Sequence, residues 1–192
     1  MAEQAKKKKS NKEWLDWLKA ILIAFSLAFI VRTFLFAPVV VEGPSMLPTL
    51  HNGDQLIVNK FIYDVKKPER FDIVVFHAST EKDFIKRIIG LPGEHVEVKD
   101  NILYINGEEV EQNYLNDQQG IQTELPIYTN DFILEDLPGN YQEIPENYVL
   151  VLGDNRENST DSRVLGLVPM DQIVGKTSLL YWPMERMQLI RK

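Results

Sequence analysis

An apolar segment near the N-terminus constrains this chain most, because its side chains must be kept out of water. From residue 20 to residue 31 only Ser26 is polar, and after a short polar break the apolar character resumes. Residues 14–37 therefore approach the roughly 20 positions that a helix needs to span a bilayer. Trp14 and Trp17 are typical of the membrane interface. The pattern predicts a single transmembrane helix over residues 14–37.

The charges on either side of this segment predict its orientation. Residues 1–19 carry six lysines against three acidic residues, a net of +3, whereas the next basic residue after Arg32 is Lys60. Because basic flanks remain in the cytoplasm, we expect residues 1–13 to form a disordered, basic cytoplasmic tail. Residues 38–192 should then form an extracytoplasmic domain at the cell membrane, with the lipid bilayer as partner. A cleavable export signal is the alternative, but no pair of small residues follows the apolar core suitably.

Composition limits what the remaining domain can do. The chain has 192 residues and 44% hydrophobic content, enough for one domain with a core besides the anchor. Its net charge of −7 becomes −10 beyond residue 19, which disfavours nucleic-acid binding. The lack of cysteine excludes disulfides, thiolate catalysis and thiolate zinc sites. We expect no metal and no cofactor, and the sequence indicates no obligate protein partner.

Short stretches rich in β-branched and aromatic residues, separated by turn formers, predict a mainly β domain after the anchor. Asn106-Gly107 is a strong signal for a two-residue hairpin. Residues 111–146 are rich in Asn, Gln, Asp, Glu and Pro, which predicts a small polar, variable insertion with little helix. The predicted strands cover residues 54–59, 71–76, 83–89, 94–98, 102–105, 108–110, 148–152 and 173–182.

Ser45 is a candidate nucleophile just beyond the apolar segment. Gly43 permits a tight backbone and Pro48 restricts the following chain, so the Ser45 N–H can be left to face a substrate oxyanion. A serine hydroxyl needs a base to become a nucleophile. The histidines are possible bases, although each has the local context of a turn, a strand end or a surface: His51, His77 and His95.

Lys86 is the alternative base. A free lysine is protonated at neutral pH, but burial in apolar surroundings lowers its pKa. In a strand, Phe84, Lys86 and Ile88 share one face while Arg87 lies on the other. The sequence therefore indicates a desolvated amine at Lys86, and the competing interpretation is a surface lysine beside Arg87.

A polar loop over residues 153–163 follows the strand predicted at 148–152. Its hydroxyl at Ser159 is suited to bond the neutral amine of Lys86, and Asp161 and Arg163 are suited to form an ion pair that braces the loop. The alternative is an exposed polar loop. The spacing of its acidic residues lacks the EF-hand pattern, so no metal site is expected.

Taken in order, three stretches resemble the boxes of type I signal peptidases, especially the single-span Gram-positive form. Residues 45–50 (SMLPTL) are similar to the serine box of that family, residues 86–93 (KRIIGLPG) to its lysine box, and residues 153–163 (GDNRENSTDSR) to its C-terminal box. The resemblance extends from the anchor to about Trp182 and is loose over residues 111–146.

This resemblance implies a membrane-anchored serine endopeptidase that removes N-terminal signal peptides from exported pre-proteins after small-x-small sites such as Ala-x-Ala. Ser45 would be the nucleophile, Lys86 the general base and Ser159 the hydroxyl that orients the lysine. Gly43 stands where some members have a serine that donates to the oxyanion. The resemblance further implies support from Asp154, Asp161 and Arg163, and substrate pockets formed by Val41, Met46, Leu50, Phe84 and Ile85.

Two other functions are compatible with parts of the pattern. A soluble Ser–Lys self-cleaving repressor would carry a DNA-binding domain where this chain has a basic tail and an apolar segment. A non-enzymatic, membrane-anchored β module that binds secretory proteins would have no need for both Ser45 and Lys86.

Overall fold

Twelve strands and four helices make up the computed structural model, which describes residues 2–30, 32, 35–116 and 128–190. The helices are α1 (Ala2–Ile30), α2 (Ile62–Val65), α3 (Asn113–Asn116) and α4 (Ser162–Leu165), with 3-10 turns at residues 134–136, 170–172 and 184–186. The strands are β1 (Phe36–Val40), β2 (Gln55–Asn59), β3 (Ile73–His77), β4 (Asp83–Gly90), β5 (Val96–Lys99), β6 (Ile102–Ile105), β7 (Glu108–Val110), β8 (Phe132–Ile133), β9 (Tyr148–Leu152), β10 (Val168–Pro169), β11 (Ile173–Trp182) and β12 (Gln188–Leu189).

The strands form two antiparallel sheets, which confirms the predicted mainly β class. The larger sheet has the order β1-β2-β11-β3-β4-β9-β10, with β12 beside β11, and the smaller has the order β7-β6-β5-β8. β2 alternates between buried and half-buried positions, whereas β3 up to Phe76 and the second half of β4 are buried continuously. Continuous burial means that these two strands are covered on both faces.

The N-terminal helix differs from the sequence prediction at both ends. It begins at Ala2, within the tail predicted to be disordered, and ends at Ile30, while residues 36–40 pair with β2 as a strand. Within the described residues, no helix has an apolar stretch long enough to cross a bilayer. The transmembrane helix predicted over residues 14–37, of which 31, 33 and 34 lie outside the described residues, is not confirmed.

The hairpin predicted at Asn106-Gly107 is confirmed. Both residues have positive φ angles, 53° and 81°, which a two-residue turn of this hand requires. Ile105 therefore pairs with Glu108 across the turn and joins β6 to β7.

Residues 111–146 contribute to the core and are more than a polar insertion. Several of their described apolar residues pack with β5, β6 and β9 in one cluster, which links the two sheets. Residues 117–127 of the segment lie outside the described part. The buried members from this segment are Tyr114, Phe132, Leu134, Leu137 and Ile144.

Candidate active site

Ser45 lies in a tight turn that follows β1. Gly43 has a φ of +85°, a conformation that glycine adopts without strain, and its N–H donates to Asn52 Oδ1 at 3.0 Å. Leu47 N–H donates to the Pro44 carbonyl at 3.0 Å and closes the turn. Among the described residues, no hydrogen bond uses the N–H of Ser45. The turn therefore leaves that donor available beside the Ser45 hydroxyl.

Lys86 reaches this turn from β4. Pairing of β4 with β3 sets Lys86 opposite Val74, and Nζ lies 2.8 Å from Ser45 Oγ and 2.9 Å from the Ile85 carbonyl oxygen. The side chain is only 4% exposed, and the Phe84 ring centroid lies 5.1 Å from Nζ. The apolar face predicted for Lys86 is therefore present, and the amine is in direct contact with the serine hydroxyl.

The electrostatics of the site favour a neutral amine. Burial lowers the pKa of Lys86 from 10.5 to about 8, although the charges of Asp161 and Asp154 act in the opposite direction. At a pKa of about 8, roughly a tenth of the amine is neutral at pH 7. Lys86 can therefore accept a proton near physiological pH, which an exposed lysine does poorly.

The loop after β9 packs directly against the Ser45 turn. Gly153 N–H donates to the Asp161 carboxylate at 3.0 Å, and the Asn155 backbone N–H donates to the Ser45 carbonyl at 3.1 Å. A Cβ on Gly153 would lie 2.5 Å from the Ser45 carbonyl oxygen and would overlap Ser159. Only glycine allows this close approach of the two segments.

The ion pair predicted between Asp161 and Arg163 is confirmed. Arg163 donates through Nε at 2.9 Å and Nη2 at 2.8 Å to the two carboxylate oxygens. Burial raises the pKa of Asp161, but Arg163, the Gly153 N–H and the nearby Ser159 hydroxyl outweigh it, so the pKa lies below its usual value. The hydroxyl of Ser159 is buried and finds no partner at hydrogen-bonding geometry within the described residues, so the predicted bond to Lys86 is not formed.

Asp154 takes part in a buried ion pair that sequence reasoning did not anticipate. Arg87 donates through Nε at 2.8 Å and Nη2 at 2.6 Å to the Asp154 carboxylate, and both side chains are fully buried. The Thr49 hydroxyl donates to the same carboxylate at 2.5 Å, and the Arg87 guanidinium stacks 3.9 Å from the Tyr114 ring centroid. This group ties β4, the end of the Ser45 turn and the loop after β9 together.

A second buried arginine, Arg156, was also missed. It donates to the Gly153 carbonyl at 3.0 Å, to Thr129 Oγ1 at 3.1 Å, to Gln112 Oε1 at 2.5 Å and to the Tyr114 hydroxyl at 2.7 Å. Three of these partners belong to the segment predicted as an insertion. The only sequence signal was an arginine within a polar, turn-rich loop, which does not distinguish a buried residue from an exposed one.

A cleft of about 330 Å³ lies beside the Ser45–Lys86 pair. Four of the five predicted pocket residues line it: Val41, Met46, Phe84 and Ile85. Leu50 does not: it is fully buried and packs with Leu56 and Leu180 in the core. Leu50 therefore stabilises the turn by packing in the core and does not contact the cleft.

The histidines occupy other parts of the molecule. His77 Nδ1 lies 2.6 Å from Asp83 and His95 Nε2 lies 3.0 Å from Glu135, while the buried Nε2 of His51 has no partner in the described part of the chain. None of the hydrogen bonds between described residues joins a histidine to Ser45. Over the same residues, no group of three or more potential ligands could hold a metal ion.

Comparison with known proteins identifies the family of this chain. The family model described as signal peptidase, peptidase S26, matches residues 14–182. The chain is 44% identical over 180 residues to a signal peptidase I from Bacillus caldolyticus, covering 94% of this chain and 95% of that protein. It is 43% identical over 180 residues to signal peptidase IB from Staphylococcus aureus, covering 90% and 92% of the two proteins.

A solved structure supports the same assignment. The crystal structure of a signal peptidase I from Enterococcus faecalis V583 is 42% identical, covers 58% of this chain and 97% of that chain, and superposes with a TM-score of 0.50. The chain belongs to the signal peptidase family, peptidase S26. It is therefore an enzyme of the peptidase class.

Proposed function

We propose that this enzyme is a serine endopeptidase in which Ser45 attacks the scissile carbonyl and Lys86 is the general base. The observation that carries the proposal is the 2.8 Å contact between Lys86 Nζ and Ser45 Oγ at a buried amine. The neutral amine accepts the hydroxyl proton, and the resulting ammonium donates a proton to the leaving amine. Water activated by the same amine then releases the acyl-enzyme. The Ser45 N–H stabilises the oxyanion, and no cofactor takes part.

The proposed substrates are exported pre-proteins, cut after small-x-small sites such as Ala-x-Ala. The names of the relatives support removal of signal peptides. The cleft supports binding of apolar substrate side chains, because it is bounded by apolar residues next to the nucleophile. Val41, Met46, Phe84 and Ile85 form its apolar walls.

We also propose that the N-terminal segment attaches the enzyme to the cell membrane, with the catalytic domain of residues 38–192 on the outer side. Leu22, Phe25 and Phe29 of α1 are 59–72% exposed, so the rest of the chain does not cover them. Cover by lipid would remove this apolar surface from water, and the lysine-rich N-terminus favours the cytoplasmic side. Carbonate extraction and protease accessibility in intact cells test this arrangement: release by carbonate, or protection of the catalytic domain, would contradict it.

Cleavage of a peptide that contains Ala-x-Ala tests the catalytic proposal. Ser45→Ala and Lys86→Ala should each reduce kcat/KM to below about a thousandth of wild type with an unchanged fold. Lys86→Arg should be equally inactive, because a guanidinium does not deprotonate in proteins. Lys99→Ala, at an exposed position of β5, is the matched control and should cleave normally. Substantial turnover by Lys86→Arg would exclude Lys86 as general base, and binding of the peptide without cleavage by wild type would favour a non-enzymatic module.

A further inference from the structure

Asn155 contacts two consecutive carbonyl groups of the Ser45 turn. Its backbone N–H donates to the Ser45 carbonyl at 3.1 Å, and its side-chain Nδ2 donates to the Pro44 carbonyl at 3.2 Å. Asn155 stands between Asp154 and Arg156, both of which are buried and held by several hydrogen bonds. Because its two neighbours are fixed, Asn155 holds the Ser45 turn in a defined position relative to the loop after β9.

The contact with Pro44 bears directly on the Ser45 N–H, because both belong to the same peptide unit. In a planar trans peptide the carbonyl oxygen and the N–H point in opposite directions. Holding the Pro44 oxygen therefore fixes the direction of the Ser45 N–H on the other edge of the plane. Leu47 N–H also donates to the Pro44 oxygen, but a single bond leaves the plane free to tilt, and Asn155 supplies the second.

The direction of this N–H matters because it is the donor proposed to stabilise the oxyanion. Gly43 has no side chain, and its own N–H is already committed to Asn52. An oxyanion donor acts through preorganisation, since its stabilisation depends on its direction before charge develops. A tilt of the Pro44–Ser45 plane would weaken the bond to the oxyanion without altering the cleft walls or the environment of Lys86.

We propose that Asn155 is a positioning residue that fixes the Ser45 N–H as oxyanion donor by holding the Pro44 carbonyl. This inference rests on the proposed function, in which Ser45 attacks a peptide carbonyl. It adds a residue to the site that makes no contact with the hydroxyl or amine and acts only through the backbone of the nucleophile.

Two variants separate the side-chain bond from the bulk of the residue. Asn155→Ala removes the donor, and Asn155→Asp keeps the shape but places a carboxylate oxygen against the Pro44 carbonyl. The full-length protein in detergent is assayed with the Ala-x-Ala peptide and with an aldehyde of the same sequence, which forms a tetrahedral adduct on Ser45. Glu157→Gln, at an exposed position of the same loop, is the control.

Asn155→Ala should lower kcat about tenfold, less than the 10²–10³-fold loss seen when an oxyanion donor is removed outright. KM should change less than twofold, and affinity for the aldehyde should fall by about the same factor as kcat. Asn155→Asp should lose more activity than the alanine variant. Asn155→Ala, which adds no charge, should keep the wild-type kinetic pKa and Tm, whereas the new carboxylate of Asn155→Asp should shift the kinetic pKa only toward alkaline pH. These readouts distinguish positioning from a general structural defect, which would alter KM, the pH profile and Tm together.

Wild-type kcat in both variants, or a fall in kcat with unaltered aldehyde affinity, would overturn the assignment of Asn155. A kinetic pKa that moves in Asn155→Ala would also overturn it, because the effect of losing the side-chain bond would then pass through Lys86. Failure of the proposed function itself looks different: wild type would not cleave the peptide, or Ser45→Ala would retain activity.

Discussion

Replacing Lys86 by methionine should abolish cleavage and at the same time stabilise the protein at neutral pH. Burial lowers the pKa of Lys86 from 10.5 to about 8, and at 1.36 kcal/mol per unit this corresponds to about 3 kcal/mol for keeping the buried amine charged. Methionine removes that penalty but also the bonds to Ser45 Oγ and the Ile85 carbonyl, which contribute about 1 kcal/mol each. The free energy of unfolding at pH 7 should therefore rise by about 1 kcal/mol.

The pH dependence of this difference has a definite sign. Between pH 8 and 10.5 the unfolded wild-type chain still holds the lysine proton while the folded chain has lost it, so wild-type stability increases with pH through this window. The methionine variant lacks this increase. Its advantage should therefore be largest below pH 8 and fall by about 3 kcal/mol by pH 10.5, where the variant becomes the less stable protein by about 2 kcal/mol.

Urea denaturation in detergent, followed by tryptophan fluorescence from pH 6 to 10.5, measures both quantities. Lys99→Met is the control, because an exposed lysine should show no such pH-dependent difference. A stability difference between Lys86→Met and wild type that stays constant across the range would refute the reasoning that the amine is desolvated in the folded state.

Two further substitutions test the support of the site. Asp154→Asn leaves Arg87 as an uncompensated buried charge, so the free energy of unfolding should fall by about 3–5 kcal/mol in urea denaturation. Asp171→Asn, at an exposed position, is the control. Equal stability of the two variants would contradict the structural role of the ion pair. Gly153→Ala places a Cβ against the Ser45 carbonyl, so kcat/KM on the peptide should fall at least about tenfold and the free energy of unfolding by about 1–3 kcal/mol. Full activity would show that the loop after β9 can shift without moving the nucleophile.

Much of the larger sheet could be predicted because its strands alternate or run continuously apolar between clear turn formers. The prediction of Lys86 on a face with Phe84 and Ile88 needed only the period of a strand. The burial of Arg87 on the opposite face could not be found in this way. It depends on Asp154, which lies 67 positions away, and on a strand that is covered on both sides.

The differences between prediction and structure at the N-terminal segment and at Leu50 have a related cause. Apolar character alone does not say where a helix gives way to a strand, and residues 36 and 37, predicted as the end of the helix, pair with β2 as part of β1. Likewise, the family resemblance implied that Leu50 forms part of a substrate pocket, whereas the turn places it in the core beside Leu56. Both outcomes are decided by tertiary contacts that the local pattern does not contain.

The pairing of the loop acids explains how Lys86 keeps a low pKa although two carboxylates raise it. Asp161 is bound to Arg163 and Asp154 to Arg87, so each negative charge near the amine is offset by a guanidinium. Arg163→Gln should therefore leave the Asp161 charge uncompensated and shift the pKa in the pH–rate profile toward alkaline pH, because a net negative charge stabilises the ammonium form.

The measurement is kcat/KM on the Ala-x-Ala peptide from pH 6 to 10. Arg70→Gln is the matched control, since Arg70 forms a comparable two-bond pair with Glu94, a carboxylate that is not among the charges acting on Lys86. At pH 7 the Arg163 variant should be slower than wild type, and above the shifted pKa its rate should recover, because only the neutral fraction of the amine has changed. An unshifted or acid-shifted profile would mean that Asp161 does not act on Lys86 through its charge, and that Arg163 serves the loop structure alone.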